Sequence, residues 1–199
     1  MTDQATIDRV AAFHGHMCPG LAMGIRASEI ALKEIGPHSP DEEVVAVVET
    51  DMCAVDAVQF LTGCTFGKGN LVHRDHGKNA YTFLRRSDGR AVRISTRPDG
   101  WGEPNPEWEE LFDKVREGQA TPQEREQFQR LHHARADAIL ERPLEELYET
   151  TEVEFSMPPL ARVHRSVQCE DCGEATMETR VRLLGGRQLC GPCFEARLI

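Results

Sequence analysis

Val44-Val45-Ala46-Val47-Val48-Glu49-Thr50 runs directly into Asp51-Met52-Cys53-Ala54-Val55-Asp56-Ala57-Val58-Gln59. The first stretch is an unbroken, β-branched run, which predicts a buried strand over 44–50. The second predicts a helix over 54–61. A glycine-rich loop follows at 63–70. Three further strands are expected at 71–74, 79–85 and 90–96, the last two joined by a turn at Ser87-Asp88-Gly89. Upstream, 6–13 reads as a short helix. Residues 21–35 read as a longer one, with Leu21, Ile25, Leu32 and Ile35 on one stripe. Pro19 near its start and Gly36 beyond its end are the expected punctuation. The order helix, strand, helix, then three strands predicts an α+β fold, with helices packed on a mixed, mainly antiparallel sheet.

Beyond this core, 98–106 reads as a loop and 107–117 as a helix. Thr121-Pro122-Gln123-Glu124 has the form of a capping box and opens a helix to about residue 140. Pro143 interrupts it, 144–148 adds a turn or two, and 153–155 suggests a strand. Met157-Pro158-Pro159 reads as a linker. Two domains are therefore expected, 1–157 and 158–199.

The 199 residues carry 23 basic and 33 acidic side chains, net −10. The acidity is local: residues 101–155 hold 6 basic and 15 acidic residues, net −9, whereas 1–100 are net −2 and 156–199 net +1. That balance argues against a general binder of DNA, RNA or anionic membranes. The longest apolar run, Val44–Val48, is far short of the about 20 residues that cross a bilayer. The first residues lack the basic-then-apolar pattern of a signal peptide, so a cytoplasmic location is expected. Seven cysteines in such a chain point to metal or thiol chemistry more than to a disulfide framework.

Cys169-x2-Cys172 and Cys190-x2-Cys193 are separated by 17 residues, within the spacing of a four-cysteine zinc module. Four thiolates suit tetrahedral Zn²⁺, and a closed site of that kind is structural. A knuckle at Gly173, a hairpin of 179–184 with 187–189 about Gly185-Gly186, and a helix from Cys193 predict a treble clef. Its arginines are offset by Glu170, Asp171, Glu174 and Glu178, which favours protein docking or dimer bracing over nucleic acid.

Phe13-His14-Gly15-His16-Met17-Cys18-Pro19-Gly20 is dense in ligand-type side chains. Cys18 precedes a helix start, where the dipole favours its thiolate, and His14 and His16 can ligate metal or move protons. Cys53 stands at a strand end passing into a helix, and Cys64 closes that helix. His16, Cys18 and Cys53 together would hold a second metal with one position open. The alternative is that these thiols are simply buried, a common fate of free cysteine. The loop Gly63-Cys64-Thr65-Phe66-Gly67-Lys68-Gly69-Asn70 fails as a P-loop, since only three residues separate Gly63 from Gly67 and a glycine follows the lysine. Lys68 is a candidate for contacting an anionic ligand or cofactor.

These three motifs, 13–20, 51–59 and 63–70, taken in order, resemble the family of the formylmethanofuran dehydrogenase E-subunit (FmdE). The tail from Pro158 through both cysteine pairs is similar to its zinc-finger-bearing members. The resemblance spans nearly the whole chain. It implies an α+β core, a homodimer, an auxiliary treble-clef finger and an association with a methanogenesis-related molybdenum or tungsten enzyme. It also implies His14, His16, Cys18, Asp51, Cys53, Gln59 and Cys64 as site positions, with no roles assigned.

The expected function is an accessory or metal- and cofactor-handling partner of a large molybdenum or tungsten C1 oxidoreductase subunit. The alternatives are a free-standing thiol or metal enzyme using His16, Cys18 and Cys53, and a zinc-finger regulatory protein. The absence of ferredoxin-type cysteine runs counts against a complete oxidoreductase.

Overall fold

The computed structural model describes residues 1–198. They divide into two compact units, Met1–Leu160 and Ala161–Ile199. In the first unit, helix α1 (Gln4–His14) is capped by Asp3, which accepts from the Thr6 amide at 2.9 Å. It stops at Gly15, whose φ of 99° suits a residue without a Cβ. Helix α2 (Pro19–Glu34) starts one residue after Cys18. The Cys18 sulfur serves as its N-cap, accepting from the Leu21 amide at 3.3 Å.

Strand β1 (Val44–Val48) is buried along its whole length. Helix α3 (Ala54–Thr62) leads to β2 (Leu71–His73), which pairs parallel to β1 with Val47 opposite Val72. Strands β3 (Ala80–Arg85), β4 (Ala91–Thr96) and β5 (Tyr148–Glu152) then extend the sheet by antiparallel pairing. The sheet order is β2-β1-β3-β4-β5. The expected mixed, mainly antiparallel sheet is what forms.

Side chains alternate across the sheet, as a period of two requires. Ala46, Val48, Tyr81, Phe83, Val92 and Ile94 face the helices and join Ala22, Met23, Ala27 and Val58 in the main core. Val45, Val47, Leu84 and Ala91 face the other way and are covered by Val153, Phe155 and Met157. The chain expected as a strand at 153–155 packs across the outer face: the strand register with β4 runs to Glu152, and a last backbone bond joins the Val153 amide to the Ala91 carbonyl at 3.0 Å before the chain becomes a strap. Arg86 anchors the strap by donating to the carbonyls of Pro158 at 2.8 Å and Pro159 at 3.4 Å.

Helix α4 (Pro106–Arg116) and helix α5 (Pro122–Glu141) form the acidic segment, and a short α6 (Leu144–Leu147) follows. The capping box at Thr121 and Glu124 is present. The C-terminal half of α5 packs on α2 through Ala136 and Ile139. Arg26, almost fully buried on α2, donates to the Arg142 carbonyl at 2.8 Å. Among the described residues no helix is long and apolar enough to cross a membrane.

In the second unit, β6 (Ser166–Gln168) pairs with β7 (Ala175–Met177), and β8 (Arg182–Leu184) pairs with β9 (Arg187–Leu189). The second hairpin is shorter than expected, because a 3-10 turn occupies Glu178–Arg180. Helix α7 (Gly191–Ala196) closes the unit.

Candidate metal centre

Two helix starts meet at the core site. Cys18 caps α2, and Cys53 occupies the N-cap position of α3. The helices lie so close that a Cβ on Gly24 would fall 2.2 Å from the Ala54 carbonyl oxygen. Gly20, a turn earlier, permits a second close approach. A Cβ there would lie 3.3 Å from the Cys53 Cβ and 3.9 Å from the sulfurs of both Cys18 and Cys53. These two glycines allow the thiols to face one another.

The dipole of α2 does not decide the state of the Cys18 thiol. Burial pushes it up to about 11, with the neighbouring Cys53 adding to the rise and the Leu21 amide opposing it. The lowering expected from a helix start is outweighed because Cys18 is buried, 4% exposed, and its thiol neighbours a second one.

The α1–α2 turn carries His14, His16 and Cys18. One donor atom from each lies within 4.8 Å of the others. The two imidazoles are 4.6 Å apart, centre to centre. His14 Nδ1 lies 2.7 Å from Asp56 Oδ2 on α3. Its Nε2 is buried and has no hydrogen-bond partner. An orphaned buried nitrogen is costly and is commonly explained by an ion or water. Two imidazoles and a thiol suit zinc, iron, nickel or copper, and three protein ligands leave a coordination position open. Donors about 2.0–2.3 Å from a tetrahedral ion stand roughly 3.5 Å apart. Donors spaced within 4.8 Å would have to draw together to that distance, and His16, the exposed member of the three, lies on the solvent side. Cys53 stands beside Cys18 but outside this set of three.

A cleft of about 570 Å³ opens beside these groups, lined by His14, Asp51, Met52, Cys53, Asp56, Gln59, Phe66 and His73 among others. Asp51 is exposed and belongs to this lining. Gln59 donates to Asp56 Oδ1 at 3.3 Å and accepts from the Phe66 amide at 3.2 Å. Two expected positions lie elsewhere. Cys64 donates to the carbonyl of Val44, at the far end of β1 from Cys53, over 3.4 Å. The Lys68 ammonium donates to the carbonyls of Ser39 at 3.0 Å and Asp41 at 3.1 Å, tying down the loop before β1. Sequence alone does not single out Asp56 or His73 as cleft residues. Asp56 sits in the first turn of α3, where a carboxylate is favoured, but its pairing with His14 across 42 residues has no local signature.

The second centre is built from Cys169, Cys172, Cys190 and Cys193, whose sulfurs all lie within 4.8 Å of one another. The Cys172 and Cys190 sulfurs are 3.8 Å apart. A zinc–sulfur bond of about 2.3 Å in a tetrahedron gives a sulfur–sulfur edge of about 3.8 Å, so the set fits the metal. Gly173, at φ 77°, turns the knuckle and donates to the Cys169 carbonyl at 2.9 Å. The Cys190 amide donates to the Cys169 sulfur at 3.3 Å. Amide donors from Cys190, Cys172 and Asp171 bring the Cys169 thiol down to about 6, which favours the thiolate a metal needs.

Known proteins resemble the chain in the same two stretches. Residues 13–149 match the family described as FmdE, Molybdenum formylmethanofuran dehydrogenase operon. Residues 164–197 match the prokaryotic dksA/traR C4-type zinc finger. A protein of Archaeoglobus fulgidus described as a probable S-adenosyl-L-methionine-binding protein is 37% identical over 186 residues, covering 87% of this chain and 49% of its own. The chain thus spans about half the length of that relative. The crystal structure of a tungsten formylmethanofuran dehydrogenase FmdE-like protein from Syntrophus aciditrophicus superposes with a TM-score of 0.64 at 25% identity, over 97% of this chain and 92% of that one.

Proposed function

The chain belongs to the FmdE family, and from that premise we propose that it is a metal-handling protein with two unlike sites. The tail zinc is structural. The core site takes a transition-metal ion on His14, His16 and Cys18, with Cys53 as an adjacent thiol. The protein serves as accessory to a large molybdenum or tungsten C1 oxidoreductase, of formylmethanofuran or formate type. The tail adopts a treble clef that docks a partner protein.

One observation carries the core reading: His14 has a buried, unpartnered Nε2 and places a ring nitrogen within 4.8 Å of donor atoms from His16 and Cys18. The charge of the cleft supports a metal cation over a phosphate-bearing metal–pterin cofactor. Among the described residues that line it are Asp51 and Asp56, with no lysine or arginine. An ion held by His14, His16 and Cys18 would supply Lewis acidity at this site.

Elemental analysis of the purified full chain tests the two-site reading. Two metals per chain are expected, one lost on replacing Cys169 and Cys172 and the other lost in Cys18→Ser. A single metal per chain, unaffected by Cys18→Ser, would sink the core site. Copurification with a molybdenum or tungsten subunit supports the accessory role, whereas turnover of a C1 substrate by the isolated chain would replace it with a free-standing enzyme.

A further inference from the structure

Asp56 is joined to more than His14. The Phe66 backbone N–H can only donate, and it is 3.2 Å from Gln59 Oε1. That fixes which end of the amide is oxygen, so Gln59 Nε2 is the donor to Asp56 Oδ1 at 3.3 Å. An ionised carboxylate only accepts. The remaining oxygen, Oδ2, lies 2.7 Å from His14 Nδ1, so Nδ1 must carry the proton. In the neutral ring Nε2 then bears the lone pair, and Nε2 is the buried atom with no partner. The backbone amide fixes the Gln59 link, and the acceptor-only character of an ionised Asp56 carboxylate fixes the His14 link.

We infer that Asp56 is a positioning residue. Its carboxylate holds His14 as the Nδ1–H tautomer and presents the Nε2 lone pair to the site shared with His16 and Cys18, while Gln59 ties that carboxylate to the Phe66 loop. Metal-ligating histidines commonly donate their second ring nitrogen to a carboxylate, which orients the ring and raises its basicity. Phe66 is 80% exposed and lines the cleft, so the relay also connects the cleft rim to a ligand. The inference rests on the metal-handling reading for its purpose. Its tautomer statement stands independently, and the test separates the two.

Long-range ¹H–¹⁵N spectra of the full, zinc-bearing chain at about pH 8, where histidine is ordinarily neutral, report the tautomer of His14 without any core metal. Nδ1–H is expected, and Nε2–H overturns the inference. Asp56→Asn can donate as well as accept, so it should release the tautomer and weaken cobalt(II) binding at the core about tenfold to a hundredfold. Asp56→Glu should recover some of that loss, and cysteine-bound zinc in the tail should be unchanged in both. Wild-type tautomer and affinity in Asp56→Asn would overturn the positioning role. A wild-type chain that takes up no cobalt at the core, yet shows the Nδ1–H tautomer and its release in Asp56→Asn, upholds the inference and overturns the metal reading.

Discussion

Gly24 is the residue on which the thiol pair depends. An alanine methyl there would meet the Ala54 oxygen at 2.2 Å, the Ala54 Cα at 2.6 Å and its carbonyl carbon at 2.8 Å. All three are backbone atoms, so relief requires α2 and α3 to move apart. Gly24→Ala is expected to cost about 2–3 kcal/mol, by the usual penalty for overpacking. It should also weaken core metal binding, because Cys18 and Asp56 ride on the two helices. Gly67, with nothing within 4 Å of an added methyl and no positive φ, is the control. Gly67→Ala should stay within about 0.5 kcal/mol of wild type in urea unfolding, and equal stability of the two variants would contradict the argument. At this scale residue types are legible in the sequence and partners are not. His14, His16 and Cys18 stand out because five residues of chain hold them together. Asp56 does not, because its role is conferred by the way α3 meets the α1–α2 turn. Cys64 and Lys68 stand in conspicuous company in the sequence, yet their polar atoms go to backbone carbonyls.

Elements follow the same division between local and distant causes. The start of α5 is readable because a capping box is a four-residue device: Thr121 Oγ1 accepts from the Glu124 amide at 3.2 Å, and Glu124 Oε2 accepts from the Thr121 amide at 2.8 Å. Strand β5 is not readable. Tyr148-Glu149-Thr150-Thr151-Glu152 buries only its first residue, so it has no apolar alternation, and β4 alone sets its pairing. The more apolar Val153 and Phe155 look like the strand but serve the outer face of the sheet. Thr121→Ala is expected to cost about 1 kcal/mol, as loss of an N-cap usually does, with the change read from thermal unfolding. The carboxyl of Glu124 adds a pH signature. Hydrogen bonds from Lys114 and then from Thr121 hold it down at about 2, against an ordinary value of 4.5. A depressed carboxylate stabilises the fold fully above the ordinary value and ceases to do so as pH falls through the folded one. The stability gap between wild type and Glu124→Gln should therefore narrow from pH 4.5 towards 2. A gap that is constant across that range would show that the ion pair contributes nothing.

At the scale of the whole molecule, charge and cysteine separate into different stretches of the chain. The net −9 of residues 101–155 is spread over α4, α5 and the segments around them, outside both cysteine groups. The two centres also differ in what holds them. The core site sits on a sheet and three helices with an apolar interior, from Leu21 and Ile25 to Phe83 and Ile94. The tail unit has a far smaller buried set, Cys169, Leu189 and Cys190, with Leu184, Cys193 and Phe194 packed against it. Two of those three buried residues are the thiols themselves. So small an apolar core leaves the unit dependent on its metal to fold. Chelation of the full chain is accordingly expected to unfold Ala161–Ile199 while Met1–Leu160 keeps its structure. Limited proteolysis with and without chelator reads this directly: cleavage should spread through the tail, and a core fragment ending near Leu160 should persist. Restored zinc should restore protection. Protection of the tail that survives complete removal of zinc would mean that its two hairpins and one short helix hold by packing alone, and the structural role of the metal would have to be abandoned.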